Sequence, residues 1–266
     1  MRRHTAHPAV LAALPPCLLA VLSAAVATPA HAEGTGDIRI ARISVNGGSP
    51  VVIGPHTAVP YAVRVRITDD SRGRRVTDFD TYNATTGRGY ADELSRACKV
   101  VDKSTSICTV RVSIDPVGLA GYDSSSANAN AGRWTTYTRV AAHDGDYYID
   151  NPSRLRYSVL RQTRTSITPS ARTVARGTSM RFSGSLTRAD WEHGDWDAYG
   201  NMRVQLRFKR SGATSFTTLK TVTTSKTGDL SAKVTASSSG TYRWRFLGDR
   251  RDGLSVSSGA AVQVAR

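Results

Sequence analysis

Two short stretches carry cations on alternate residues: Met202-Arg203-Val204-Gln205-Leu206-Arg207-Phe208-Lys209 and Tyr242-Arg243-Trp244-Arg245-Phe246. Successive side chains of an extended strand point to opposite sides, and neighbouring strands lie about 5 Å apart. If the two stretches are neighbours in one sheet, Arg203, Arg207, Lys209, Arg243 and Arg245 share one wet face, with Gln205 among them. Like charges that close repel. Such a face calls for counterions or for an anionic polymer such as teichoic acid, an acidic polysaccharide or nucleic acid. The competing reading is a solvated face, or one covered by a neighbouring domain.

A second constellation is Asp190-Trp191-Glu192-His193-Gly194-Asp195-Trp196-Asp197. The carboxylates Asp190, Glu192, Asp195 and Asp197 can offer the oxygen ligands that Ca²⁺ takes. An EF-hand is excluded, because a loop started at Asp195 meets Leu206 where it needs a bidentate glutamate. Trp191 and Trp196 can instead stack on sugar rings, or pack beneath the loop or against a neighbouring domain. A third constellation, His143-Asp144-Gly145-Asp146 with Asp150 nearby, reads first as a hairpin turn and second as a calcium or catalytic site.

Signatures of catalysis are absent from the sequence. It contains no G-x-S-x-G, H-E-x-x-H, phosphate-binding loop or dinucleotide fingerprint. Carboxylate pairs such as Asp69/Asp70 and Asp78/Asp80 exist, but glycosidase chemistry needs two carboxyls at defined separation in a cleft. The expectation is a non-enzymatic chain, with a secreted hydrolase as the remote alternative.

The elements that must position these residues are strands. Val63-Arg64-Val65-Arg66-Ile67 alternates as the two cationic stretches do, and breaks such as Asn46-Gly47-Gly48, Ser211-Gly212 and Thr227-Gly228-Asp229 recur between such runs. The only candidate helical turn is Tyr90 to Ala97. The pattern predicts an all-β chain of sandwiches. A boundary falls near Thr163, where Leu155–Leu160 closes one unit and Ser166-Ile167-Thr168-Pro169 opens the next. The expected parts are a leader over 1–32, a first sandwich over 33–162 and a second over 163–266.

The chain has 266 residues, a net charge of +15 and 39% hydrophobic residues, enough for a packed core. Residues 164–266 hold 17 cations against 7 acids, so a polyanion should prefer that half. Arginine dominates over lysine, as a GC-rich genome alone would produce.

Arg2 and Arg3, the apolar run Val10–Ala27 and Ala30-His31-Ala32 together read as an export leader cleaved after Ala32. Cys17 belongs to the discarded part. Neither a sortase-type motif nor a second apolar segment follows, so release into the medium or cell-wall space is expected. Cys98 and Cys108 remain, and two cysteines in an oxidising compartment usually pair.

Gly240-Thr241-Tyr242-Arg243-Trp244 resembles the entry to strand F of immunoglobulin-like domains, where a tyrosine closes a corner with its hydroxyl. Trp244 stands where antibody domains carry cysteine. With Ser185–Glu192 and Val204–Lys209, and in the first half Cys98, Cys108 and Ala131-Gly132-Arg133-Trp134, the chain resembles exported two-domain Ig-like proteins of Streptomyces-type actinobacteria, some labelled calcium-binding. The resemblance implies two immunoglobulin-like β-sandwich domains in tandem, a cell-envelope or extracellular setting, and work by binding, adhesion or structure. It carries over no catalytic residue.

Overall fold

The computed structural model describes residues 31–89, 91–120 and 124–265. The apolar run Val10–Ala27 read as a leader lies outside them. Among the described residues there is no α-helix, only strands and short 3-10 segments.

The first sandwich is built from β1 (His31–Thr35), β2 (Arg39–Val45), β3 (Val51–Ile53), β4 (Val59–Thr68), β5 (Arg75–Asn83), β6 (Asp92–Val100), β7 (Thr105–Ile114), β8 (Gly132–Ala141), β9 (Tyr147–Asn151) and β10 (Tyr157–Arg161). One sheet runs β2-β4-β7-β6. In the other, β8 is central, with β5 along one side and β9 and β10 along the other. β3 then joins β10 in parallel, and β1 flanks β9. This is the A-B-E-D sheet of an immunoglobulin fold facing its C-F-G sheet. Alternation decides which residues fill the space between: Val63, Val65 and Ile67 of β4 and Val110, Val112 and Ile114 of β7 are all buried on the inner side, with Trp134 from the opposite sheet.

The second sandwich comprises β11 (Thr163–Thr165), β12 (Thr168–Pro169), β13 (Thr173–Ala175), β14 (Ser179–Asp190), β15 (Asp195–Ala198), β16 (Arg203–Arg210), β17 (Thr217–Thr223), β18 (Asp229–Thr235), β19 (Gly240–Phe246), β20 (Ser255–Val256) and β21 (Ala260–Ala265). β14 organises one sheet, with β12 and β18 on its sides and β11 and β15 further along. The other runs β13-β21-β19-β16-β17. Its core holds Phe182, Leu186, Leu206, Tyr242, Trp244 and Phe246. The chain is thus two immunoglobulin-like β-sandwiches with separate apolar cores.

Two expectations need correction. Residues 92–97, read as a helical turn, belong to strand β6. Most β6 side chains are exposed, so no apolar alternation marks it. Pairing with β7 imposes the extended form, and tertiary context overrides local propensity. The ring of Tyr242 stacks on Phe182 at 4.2 Å, but among the described residues its hydroxyl makes no corner hydrogen bond. Burial between Phe182 and Phe208 accounts for this tyrosine instead.

Cys98 and Cys108 face each other across β6 and β7 and form the disulfide. The bridge pins an edge strand that buries almost nothing. Closing a loop of this length is worth roughly 3 kcal/mol in the chain-entropy account. Urea denaturation with and without reductant should show the first sandwich losing about that much, and an unmoved midpoint would contradict it.

Candidate functional site

The pairing of β16 with β19 sets Arg207 opposite Arg243 and Gln205 opposite Arg245, while Leu206 lies opposite Trp244 on the buried side. Lys209 is one step beyond, opposite Thr241. Arg207, Lys209, Arg243 and Arg245 are half-buried, with their aliphatic stems along the sheet. Arg203 sits at the far end of β16, exposed and opposite Thr223 of β17. The structure therefore gathers four of the five expected cations closely and places Arg203 beyond Gln205.

A residue without a sequence signal organises the cluster. Phe216, just before β17, lies under the Arg243 guanidinium at 3.6 Å from ring centroid to Cζ and within 5.4 Å of Lys209 Nζ. Arg207 Nη2 donates to the Phe216 carbonyl oxygen at 2.5 Å. Cation–π contact is worth about 0.5–1 kcal/mol at an exposed site, enough to hold an orientation but not to cancel repulsion. No ion pair among the described residues involves any of the five cations. Nor do strands β16, β17, β19, β20 and β21 contain an aspartate or glutamate. Burial, and then the neighbouring charges of Arg207 and Arg245, push the Arg243 guanidinium below its ordinary pKa. An anion laid across this face would relieve that crowding.

The Asp190–Asp197 loop does different work. It is the tip of the β14–β15 hairpin, turned through Gly194 at φ 64°, and it enters the first sandwich. Trp191 is 2% exposed and belongs to the first sandwich's core, with Nε1 donating to the Ile53 carbonyl at 3.3 Å. It is therefore unavailable to stack on a sugar. Trp196 packs against the same core, and the Arg164 guanidinium lies 3.7 Å over its ring. Asp190 is buried. Its Oδ1 accepts from Asn128 Nδ2 at 2.6 Å and from the Glu192 amide at 2.9 Å, and its Oδ2 meets His193 Nδ1 at 2.5 Å. Asn128 returns the contact, its amide donating to Glu192 Oε1 and its Oδ1 accepting from the Trp191 amide.

Of the four expected calcium ligands, Asp190 and Glu192 converge, with His193 beside them. Asp195 and Asp197 are exposed on β15 and do not join that group, and Asp195 Oδ1 accepts the Trp196 amide.

The same junction carries a buried ion pair. Arg161, at the end of β10, meets Asp252 with 3.1 Å between Nε and Oδ1, and both side chains are nearly inaccessible. The Arg161 backbone also bonds the second sandwich's 247–254 loop, through Arg251 O at 2.9 Å and Gly253 N at 2.8 Å. Tyr199 OH donates to Asp249 and Asp252. Removing one member of such a pair costs about 3–5 kcal/mol, because the other is left charged and dry.

These groups line an open groove of about 830 Å³ between the sandwiches, rich in carboxylates. Burial alone would raise Asp190, but hydrogen bonds from Asn128, His193 and the Glu192 amide outweigh it and hold the carboxyl at about 2. Asp249 is likewise held low against burial by the Arg251 amide and Tyr199. Neither of these two carboxyls is shifted in the direction that a glycosidase acid needs. The His143–Asp146 segment is the turn between β8 and β9, with Gly145 at φ 100°, and Asp150 lies on β9 opposite Thr138.

No protein-family model and no curated protein matches the chain. Among solved structures, it aligns with the adhesin InvE of Yersinia pseudotuberculosis at 10% identity and TM-score 0.28, covering 83% of this chain and 58% of that one. It aligns with the mouse nectin-like molecule 4 ectodomain at 11% and 0.25, covering 84% and 63%. The D00-D0 domain of intimin gives 9% and 0.28, with 83% and 99% covered. Superpositions this loose carry no argument, and the fold rests on strand order. That order defines a tandem immunoglobulin-like chain with one acid-free cationic sheet.

The His193–Asp190 contact gives the junction a pH signature. Its hydrogen bond to Asp190 raises the His193 pKa, so this contribution is complete below the ordinary histidine value and is lost as pH rises through the raised one. Asp190 is held low, so its share is present above the ordinary carboxylate range and fades as pH falls towards about 2. Thermal melts of wild type and His193→Ala should differ most between about pH 4.5 and 6.5 and converge at alkaline pH. A gap independent of pH would contradict the pairing.

Proposed function

We propose that this chain is an exported, non-enzymatic binding module that holds anionic polymers, cell-wall polymer or acidic polysaccharide, on the outer face of β16 and β19. The observation that carries the reading is the cluster of Arg207, Lys209, Arg243 and Arg245, with no ion-pair partner among the described residues and no acid in the surrounding strands. An all-cation face tolerates its own repulsion best when a polyanion neutralises it, and binding of that kind releases counterions. Arg203 extends the track along β16. Export is supported by the basic start, the apolar run and the Ala30-His31-Ala32 signal, and by the disulfide. Cleavage after Ala32 would leave Glu33, Gly34 and Thr35 paired with β9. No helix of the described residues is long and apolar enough to cross a membrane.

Heparin chromatography tests the face. Four phosphate-like contacts would weaken binding by about 10²-fold between 50 and 200 mM salt if the duplex-DNA slope applied. The triple variant Arg207→Gln, Arg243→Gln, Arg245→Gln should elute at much lower salt than wild type while melting at the same temperature or higher. Unchanged retention would defeat the assignment.

A further inference from the structure

Five carboxylates from three separate turns meet at one end of the first sandwich. Asp37 follows β1, Asp69 and Asp70 follow β4, and Asp144 and Asp146 form the β8–β9 turn. Oxygens of Asp37, Asp69 and Asp70 lie within 4.8 Å of one another, and so do oxygens of Asp69, Asp144 and Asp146. Asp69 belongs to both groups and links them.

Asp69 is only 3% exposed. Its Oδ1 accepts from the Ser71 amide at 2.8 Å and from Ser71 Oγ at 2.6 Å. Its Oδ2 is buried with no hydrogen-bond partner. A buried carboxylate oxygen is normally hydrogen-bonded, paired or bound to a metal. Pairing does not explain this one, since among the described residues no ion pair reaches any of the five. The buried cation beside it, Arg74, is committed to the loop backbone. It donates to the carbonyls of Asp69 and Lys103, each at 3.1 Å, and to Ser106 Oγ. It fixes the Asp69–Ser71 turn and makes no ion pair with the carboxylates among the described residues.

The turns are tied together before any ion arrives. Asp146 Oδ2 accepts the Asp37 amide at 2.8 Å. Gly36, at φ 75°, leaves the space that the Asp146 carboxylate fills, and a β carbon there would collide with it.

We propose that this cluster is a Ca²⁺ site, with Asp69 Oδ2 as its buried central ligand and Asp37, Asp70, Asp144 and Asp146 supplying the remaining carboxylate oxygens. The donors are all hard oxygens, which excludes the softer transition-metal preferences. Ca²⁺ accepts six to eight oxygens at about 2.3–2.6 Å in adjustable geometry, so oxygens on opposite sides of one ion stand about 5 Å apart. Mg²⁺ demands a tighter octahedron that three independent turns satisfy poorly. The site is distinct from the β14–β15 hairpin and independent of the cationic face.

Calorimetry and thermal melts of the purified protein with CaCl₂ and with MgCl₂ test it. The expected result is one Ca²⁺ per chain with a dissociation constant of roughly 0.1–1 mM, a melting temperature that climbs with Ca²⁺, and a weaker Mg²⁺ response. Asp69→Asn should abolish binding. Should that variant fail to fold, Asp70→Asn with Asp144→Asn, both exposed, should weaken binding at least about tenfold with an unchanged circular dichroism spectrum. The hairpin variant Glu192→Gln with Asp197→Asn should bind as wild type does. The proposal is overturned by an absence of heat and of thermal shift at about 10 mM CaCl₂, which would mean the carboxylates share protons instead. It is equally overturned by binding that survives Asp70→Asn with Asp144→Asn, or that is lost in the hairpin variant.

Discussion

The register between β16 and β19 is the constraint on which the second sandwich and its surface both depend. Setting Leu206 against Trp244 fills the space between the sheets, and the same step sets Arg207 against Arg243 outside. A slip of one residue would bury the guanidinium groups and expose the indole. Core and cationic face are therefore two sides of one pairing. Apolar burial stabilises the register strongly enough to hold like charges side by side. Phe216 and the Arg207 bond to its carbonyl arrange those charges without neutralising them.

The junction gives that face a fixed context. Trp191 is inserted into the first sandwich, and Arg161 with Asp252 closes the contact where solvent is excluded. Ala189 N donates to Gln162 O, so β14 binds the connecting segment before its tip reaches across. Carboxylates concentrate here and at the far turns of the first sandwich, whereas the β16–β19 sheet has none. The separation of charge is spatial, and it explains how a chain rich in both signs presents one surface free of acids.

Much of this was legible in residue order. Alternation in Val63–Ile67, Met202–Lys209 and Tyr242–Phe246 marked strands and told wet side from dry. Cys98 and Cys108 pair, as expected of two cysteines if the chain is exported. Strand β6 was hidden because an edge strand with few buried side chains has no pattern to show. Trp191 was visible as an aromatic in a polar loop, with sugar stacking and packing both open, because local sequence does not say which core a loop tip enters. The Asp69 cluster was invisible as a unit, since its members come from turns far apart in the chain and only the sandwich brings them together. Phe216 lacked a signal for the same reason.

The most direct test of the cationic face is a titration of arginine side-chain Nε–H resonances with a defined sulfated oligosaccharide. The shifts should concentrate on Arg207, Arg243 and Arg245, with Arg203 following as the oligosaccharide lengthens. Shifts spread evenly over the exposed arginines of both sandwiches, with none favoured on β16 and β19, would contradict the assignment.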